Sequence, residues 1–213
     1  MVAQGSLRLV DTVKQIQLKV NIEIAKEANR KAGRIKTSIL PKIRQVISTA
    51  LASSDTISSL SGGKLRGDFG IPKGTDVVTA IISAVSSAVD ITVNPFSGSS
   101  SGIKGEIFLT IQPLDYGNVL GLPGSTITTE KGQPLPWLSW LLTLGDQVIV
   151  STHGVRYKPG TGRSGQAQMK FNYNTPFKVD SAHSGKPDDN FITRTIDSVS
   201  DEITAILIGA FKW

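Results

Sequence analysis

Apolar residues near the start of the chain recur at helical intervals. Leu9, Val13, Ile16, Val20 and Ile24 are separated by four, three, four and four positions, one stripe on a helix. Ile16, Leu18, Val20, Ile22 and Ile24 also alternate strictly, which is the strand pattern. Helix is favoured because AKEANRKAGR follows, a run of helix formers with no turn signal before Gly33. Pro41 predicts a break or a fresh start. Beyond it Ile43, Val46, Ile47, Ala50 and Leu51 resume a helical stripe as far as Ser53-Ser54-Asp55.

SGGKLRGDFGIPKG (61–74) reads as a compact connector punctuated by glycine and proline. Val77, Val78, Ile81, Ile82, Val85 and Val89 then mark an amphipathic helix, with Thr75 or Asp76 placed to cap it. Asp90 to Val93 reads as a short strand and 95–102 as a flexible loop. From Gly105 to Ile111 the chain alternates with Ile107, Leu109 and Ile111 inward. A long excursion over 112–134 holds a hairpin near Thr126 to Thr129. In PLPWLSWLLTLG, Trp137, Trp140, Leu141 and Leu144 share a helix face between Pro136 and Gly145. Gln147 to Tyr157 and Gln166 to Tyr173 read as strands, the second alternating at Ala167, Met169, Phe171 and Tyr173. A helix over 188–211, opened by Asp188-Asp189, carries the stripe Ile192, Ile196, Val199, Ile203, Ile206 and Ala210.

The order is helices first (1–60), strands in the middle (90–180) and a helix last. This predicts a single α+β domain over 1–213, with N-terminal helices and a C-terminal helix packed on a mainly antiparallel sheet. A chain of 213 residues, 39% hydrophobic, with mean hydropathy near zero suits one soluble domain with a full core. Without cysteine there is neither disulfide nor thiolate chemistry, and cohesion rests on packing. No apolar run approaches the roughly 18 residues of a spanning helix, so no membrane partner is expected. MVAQGSLRLVDTVKQ lacks the order of a secretory signal, and synthesis in the cytosol is expected.

Charge is concentrated at one end. Residues 1–47 hold ten basic against three acidic side chains, a balance of +7; the remainder holds thirteen against fourteen, a balance of −1. Lys26, Arg30, Lys31 and Arg34 form the densest basic run. Such a segment can meet phosphate, lipid headgroups or an acidic protein, or it can be the solvated face of a long helix. Arg156, Lys158 and Arg163 add cations around a glycine-rich turn, and a nucleic-acid-binding module is the alternative that these residues suggest. Aromatics make up only 6% and none interleave the basic segment, so base stacking is not supported.

KPGTGRSGQ spells Gly160-x-Gly162-x-x-Gly165, the glycine fingerprint of dinucleotide-binding folds. That fingerprint works only between a strand and a helix whose first amides face the pyrophosphate. Here alternation follows it, which predicts a second strand and a turn between two strands, so no cofactor is expected. His153 and His183 lie 30 residues apart without ligand spacing. Asp188-Asp189 suits capping, with metal binding as the alternative. Arg66-Gly67-Asp68 reads as a structural turn, and Ser164 lacks the Gly-x-Ser-x-Gly elbow. No catalytic constellation is expected and the chain reads as no enzyme. Trp137 and Trp140 are candidates for an interface, with core packing as the alternative.

SSLSGGKLRGDFGIP (58–72), LPWLSWLLTLGDQVIV (135–150), GRSGQAQM (162–169) and DDNFITRTI (188–196) together resemble structural proteins of contractile-tail bacteriophages, those of the neck or tail completion. The likeness spans nearly the whole chain. One departure is TPFKVDSAHSGKP (175–187), where the family often has an aromatic-basic, proline-rich stretch. The resemblance implies a virion component, assembled in the host cytoplasm, that forms a cyclic ring of six or twelve copies. Its implied neighbours are portal or adaptor connector proteins, the tail terminator, and sheath or tube proteins, with genomic DNA passing through the channel. A closed ring needs two unlike patches on each copy. The basic helices are expected to supply one, and the loops 95–102 and 158–165 the others.

Overall fold

The computed structural model describes residues 11–129, 132–172 and 174–211. Leu9 and Tyr173, part of two of the stripes above, lie outside the described residues. Among the described residues, eight helices and four antiparallel strand pairs make this an α+β fold, with helices towards both ends. By its internal contacts the chain forms two compact units, residues 11–40 with 91–109 and residues 41–90 with 110–211.

Helix α1 (Val13–Ala52) runs 40 residues and passes through Pro41 without stopping. The expected break does not occur. Ile35 and Ile39 before the proline, and Ile43, Ile47 and Leu51 after it, are all buried. Burying that continuous stripe outweighs the one backbone bond that proline cannot make.

The first unit pairs the front of α1 with a hairpin of β1 (Asp90–Ser99) and β2 (Gly102–Thr110). The expected loop at 95–102 is therefore mostly strand. Asn21 Nδ2 donates to the Ser99 carbonyl at 2.7 Å. Asn29 clamps Phe96 twice, donating to its carbonyl at 2.8 Å and accepting from its N–H at 2.7 Å. Gly98 lies against the backbone of Asn21 and Ile22, where any Cβ would collide. Ala25 and Ala32 are buried on this face. Small and amide side chains thus let strand and helix approach closely.

In the second unit, α2 (Asp55–Ser61) and α3 (Lys64–Phe69) precede α4 (Gly74–Ala88). Ser54 caps α2. The cap of α4 is Lys73, without a side-chain bond; neither Thr75 nor Asp76 takes that position. Val78, Ile81, Val85 and Val89 are buried, as the spacing predicts. After the short α5 (Gly117–Leu120), β3 (Ile127–Thr128) pairs with β4 (Pro134–Leu135), the hairpin expected near Thr126. Helix α6 (Trp137–Thr143) buries Trp137, Leu138, Leu141 and Leu142.

The stretch read as one strand over 147–157 is two. Strand β5 (Val148–Val150) pairs with β8 (Phe177–Lys178), and β6 (His153–Tyr157) pairs with β7 (Ala167–Phe171). The last helix also divides, into α7 (Phe191–Ser198) and α8 (Ser200–Phe211). It opens on Asn190 rather than on the aspartates. The Asn190 side chain accepts from the N–H groups of Ile192 and Thr193, and the Thr193 hydroxyl accepts from the Asn190 N–H, a complete capping box. Asp189 instead pairs with Arg194 at 2.6 Å.

Candidate assembly interface

The glycine loop joins β6 to β7. Five residue pairs, from His153–Phe171 to Tyr157–Ala167, hold the two strands antiparallel. Beyond the last pair the Lys158 N–H donates to the Gln166 carbonyl at 2.9 Å, and the Gly160 N–H to Gly165 at 2.8 Å. Gly160, Gly162 and Gly165 have φ of 75°, 67° and 71°, the left-handed region. A Cβ on Gly162 would overlap the Ala167 carbonyl. The three glycines therefore serve a hairpin tip. Because an extended strand follows them, the loop offers no helical amide crown to a pyrophosphate.

Arg163 points back from the tip. Its Nη1 donates to the Thr128 carbonyl at 2.7 Å, and its guanidinium packs against Gly70. It staples the loop to β3 and to the end of α3. Arg156 and Lys158 are exposed on the outer part of the hairpin.

The tryptophans separate. Trp137 has no exposed surface; its Nε1 donates to the Gly124 carbonyl at 2.7 Å and its ring lies 5.4 Å from that of Phe69. It is core, and as an interface residue it is corrected. Trp140 is half-buried and lines a cavity of about 770 Å3 with Arg163, His153, Met169 and Phe177.

The basic run on α1 is partly neutralised. Lys26 pairs with Glu23 at 2.7 Å and Arg30 with Glu27 at 2.6 Å. The Arg30 hydrogen bond holds the Glu27 carboxyl below its ordinary range. Arg34 is exposed and Lys31 half-buried. The four cations do not form one uncompensated patch.

Pattern reading missed a polar cluster at the base of the hairpin. The Tyr157 hydroxyl donates to Asp68 Oδ1. Lys64 Nζ lies 3.8 Å from Asp68 Oδ2 and 2.7 Å from Asp180 Oδ2. His183 Nδ1 and the Thr56 hydroxyl share a hydrogen bond at 3.0 Å. The Asp68 side chain is only 8% exposed, and burial raises its pKa above the ordinary aspartate value against the opposing pull of Tyr157 and Lys64. Burial, then Asp68, pushes the Tyr157 hydroxyl up as well. Asp180 moves the other way, lowered by its bond from Lys64 and by the Ala182 N–H. The Arg66-Gly67-Asp68 tripeptide is thus structural, although helical rather than a turn. Arg66 donates to the carbonyls of Ile71 and Pro72, and Gly67 leaves room for the Tyr157 ring. These groups are far apart in sequence, so no local signal marks them.

His153 stacks edge-on against Phe171 at 5.6 Å and bonds Thr152. The Ser164 hydroxyl accepts from the Gln166 N–H. Among the described residues no three His, Asp or Glu side chains are placed to share a metal ion, and no helix is long and apolar enough to cross a membrane. No family model matches the chain, and searches of curated proteins and of solved structures likewise find no match.

Proposed function

We propose that this chain is a non-enzymatic structural virion protein that forms a ring in the neck or at the tail end of a contractile-tail bacteriophage, joining the head connector to the tail around the DNA channel. The supporting observation is that the four stretches carrying the resemblance pack on one another. Phe69 of the first meets Trp137 of the second. Gln166 of the third donates to the Gly62 carbonyl of the first at 2.8 Å. Asn190 of the fourth abuts Gly185, whose carbonyl accepts from the Gly145 N–H of the second at 2.8 Å. The four blocks thus lie together in one compact unit.

Tracing this chain in electron micrographs of the particle tests the reading, with density at the head–tail junction expected. The competing nucleic-acid module predicts a free monomer that binds duplex DNA with affinity falling steeply as salt rises. The ring reading expects weak binding by the monomer. Tight, salt-sensitive binding together with absence from the particle would replace it. The internal pairing of Lys26 and Arg30 weighs against the DNA module.

A further inference from the structure

Two uncovered surfaces complement each other. On α1, Val13, Ile16, Val20 and Ile24 share one face and are all exposed, from 37% at Ile16 to 79% at Val13. The β1–β2 hairpin covers a separate face, that of Asn21, Ala25 and Asn29, so the unit's own packing leaves this aliphatic row open to solvent. A contiguous apolar row of this kind marks a contact surface.

The second surface is a groove of about 650 Å3 in the other unit, between the latter half of α1 and helices α7 and α8. Val46, Ala50 and Val199 give it an apolar floor, Ser53 and Ser198 are small enough to admit bulky side chains, and Glu202 stands on its rim. The charges also match. Residues 11–34 carry six basic against three acidic side chains, a net positive balance that remains although Lys19, Lys26 and Arg30 pair with Asp11, Glu23 and Glu27, whereas residues 191–211 carry one basic against three acidic. That single cation, Arg194, is already paired with Asp189, while Asp197, Asp201 and Glu202 are exposed.

We infer that the groove receives the front half of α1 from a second copy of this chain, with Val13, Ile16, Val20 and Ile24 on its floor and the net positive charge of α1 beside the acidic rim. Donor face and acceptor groove are different parts of the chain. Unless the same two copies exchange helices reciprocally and close a dimer, the contact is heterologous and propagates head to tail. It rests on the proposed ring only for its closure.

The chain has no cysteine, so introduced thiols stand alone. Full-length Val20→Cys and Ala50→Cys proteins are mixed, oxidised mildly and run without reductant. A disulfide-linked dimer is expected in the mixture, several-fold above either variant alone. Ser53→Cys replaces Ala50→Cys should the latter misfold by circular dichroism. In sedimentation, Val20→Asp/Ile24→Asp should weaken self-association at least tenfold. Excess Val20–Val20 linkage in the single variant would mean that the aliphatic face pairs with itself and would overturn the inference. So would a protein that remains monomeric at every concentration. Electron microscopy of the same samples separates the two readings. Rings without the mixed crosslink sink the docking and leave the ring; a mixed crosslink with only open chains or closed dimers sustains the docking and counts against the ring.

Discussion

The side-chain amide of Asn190 donates to the hydroxyl of Tyr116 at 2.7 Å, and that hydroxyl donates in turn to the Pro187 carbonyl at 2.7 Å. Asn190 is fully buried and caps α7; Tyr116 is buried with φ of 55°, the one non-glycine residue at positive φ among those described. Two segments more than seventy residues apart are locked through one oxygen. Tyr116→Phe removes both bonds; the Asn190 amide keeps its other bond, to the Lys186 carbonyl at 3.1 Å, and Pro187 is exposed, so the change should cost about 0.5–1.5 kcal/mol. Asn190→Ala should cost more, because the cap of α7 is lost as well. Urea midpoints of the two variants, at unchanged slope, check both statements.

Gly162 and Gly160 should respond differently to alanine. Both have left-handed φ, which costs a non-glycine residue roughly 1–2 kcal/mol. A Cβ at Gly160 meets open space, whereas at Gly162 it overlaps the Ala167 carbonyl. Gly160→Ala should therefore lower the melting temperature slightly. Gly162→Ala should also open the β6–β7 pairing, read as faster amide exchange at Ala167 and Met169. Equal effects at the two sites would contradict the close approach at Gly162.

Asp68 and Asp180 share Lys64 but titrate in opposite senses. The folded state raises the Asp68 pKa, so folding favours the protonated carboxyl, and its contribution is lost as pH rises through the shifted value. Asp180 is lowered; its contribution is present above the ordinary carboxylate range and is lost as pH falls through its shifted value. Asp68→Asn keeps an acceptor for Tyr157, so its stability relative to wild type should improve between about pH 3 and pH 7. Asp180→Asn should lose ground as pH rises from about 2 to about 5, below and around the ordinary aspartate value. Denaturation of both variants and wild type at several pH values gives the two slopes, and slopes of the same sign would refute this account.

Pro41 sits exposed within an unbroken helix, where it removes one backbone hydrogen bond. Pro41→Ala restores the N–H and should stabilise the protein by about 1–3 kcal/mol. A fall in melting temperature would mean that the proline sets a bend the fold requires.

Periodicity located the helices well where one face alone is buried. Val78, Ile81 and Val85 in α4 needed no tertiary information, since a 3.6-residue repeat has one physical use. It failed at boundaries decided by packing. Nothing local distinguishes β5 from β6, because their partners, β8 and β7, arrive later in the chain. Trp137 and Trp140 read alike as letters, yet a ring against Phe69 and an indole bond to Gly124 put the first in the core. The Tyr157–Asp68–Lys64–Asp180 cluster was invisible for the same reason.

By itself, the sequence determined the α+β class, the absence of thiol chemistry, the charge asymmetry and the turn at Gly160 to Gly165. All four follow from composition or from backbone preferences that act within a few residues. Only the tertiary structure decided that α1 continues through Pro41, and that its aliphatic row from Val13 to Ile24 lies on a different face from the one the hairpin covers. Which of two apolar faces is buried depends on what packs against each, and that is a property of residues far apart in the chain.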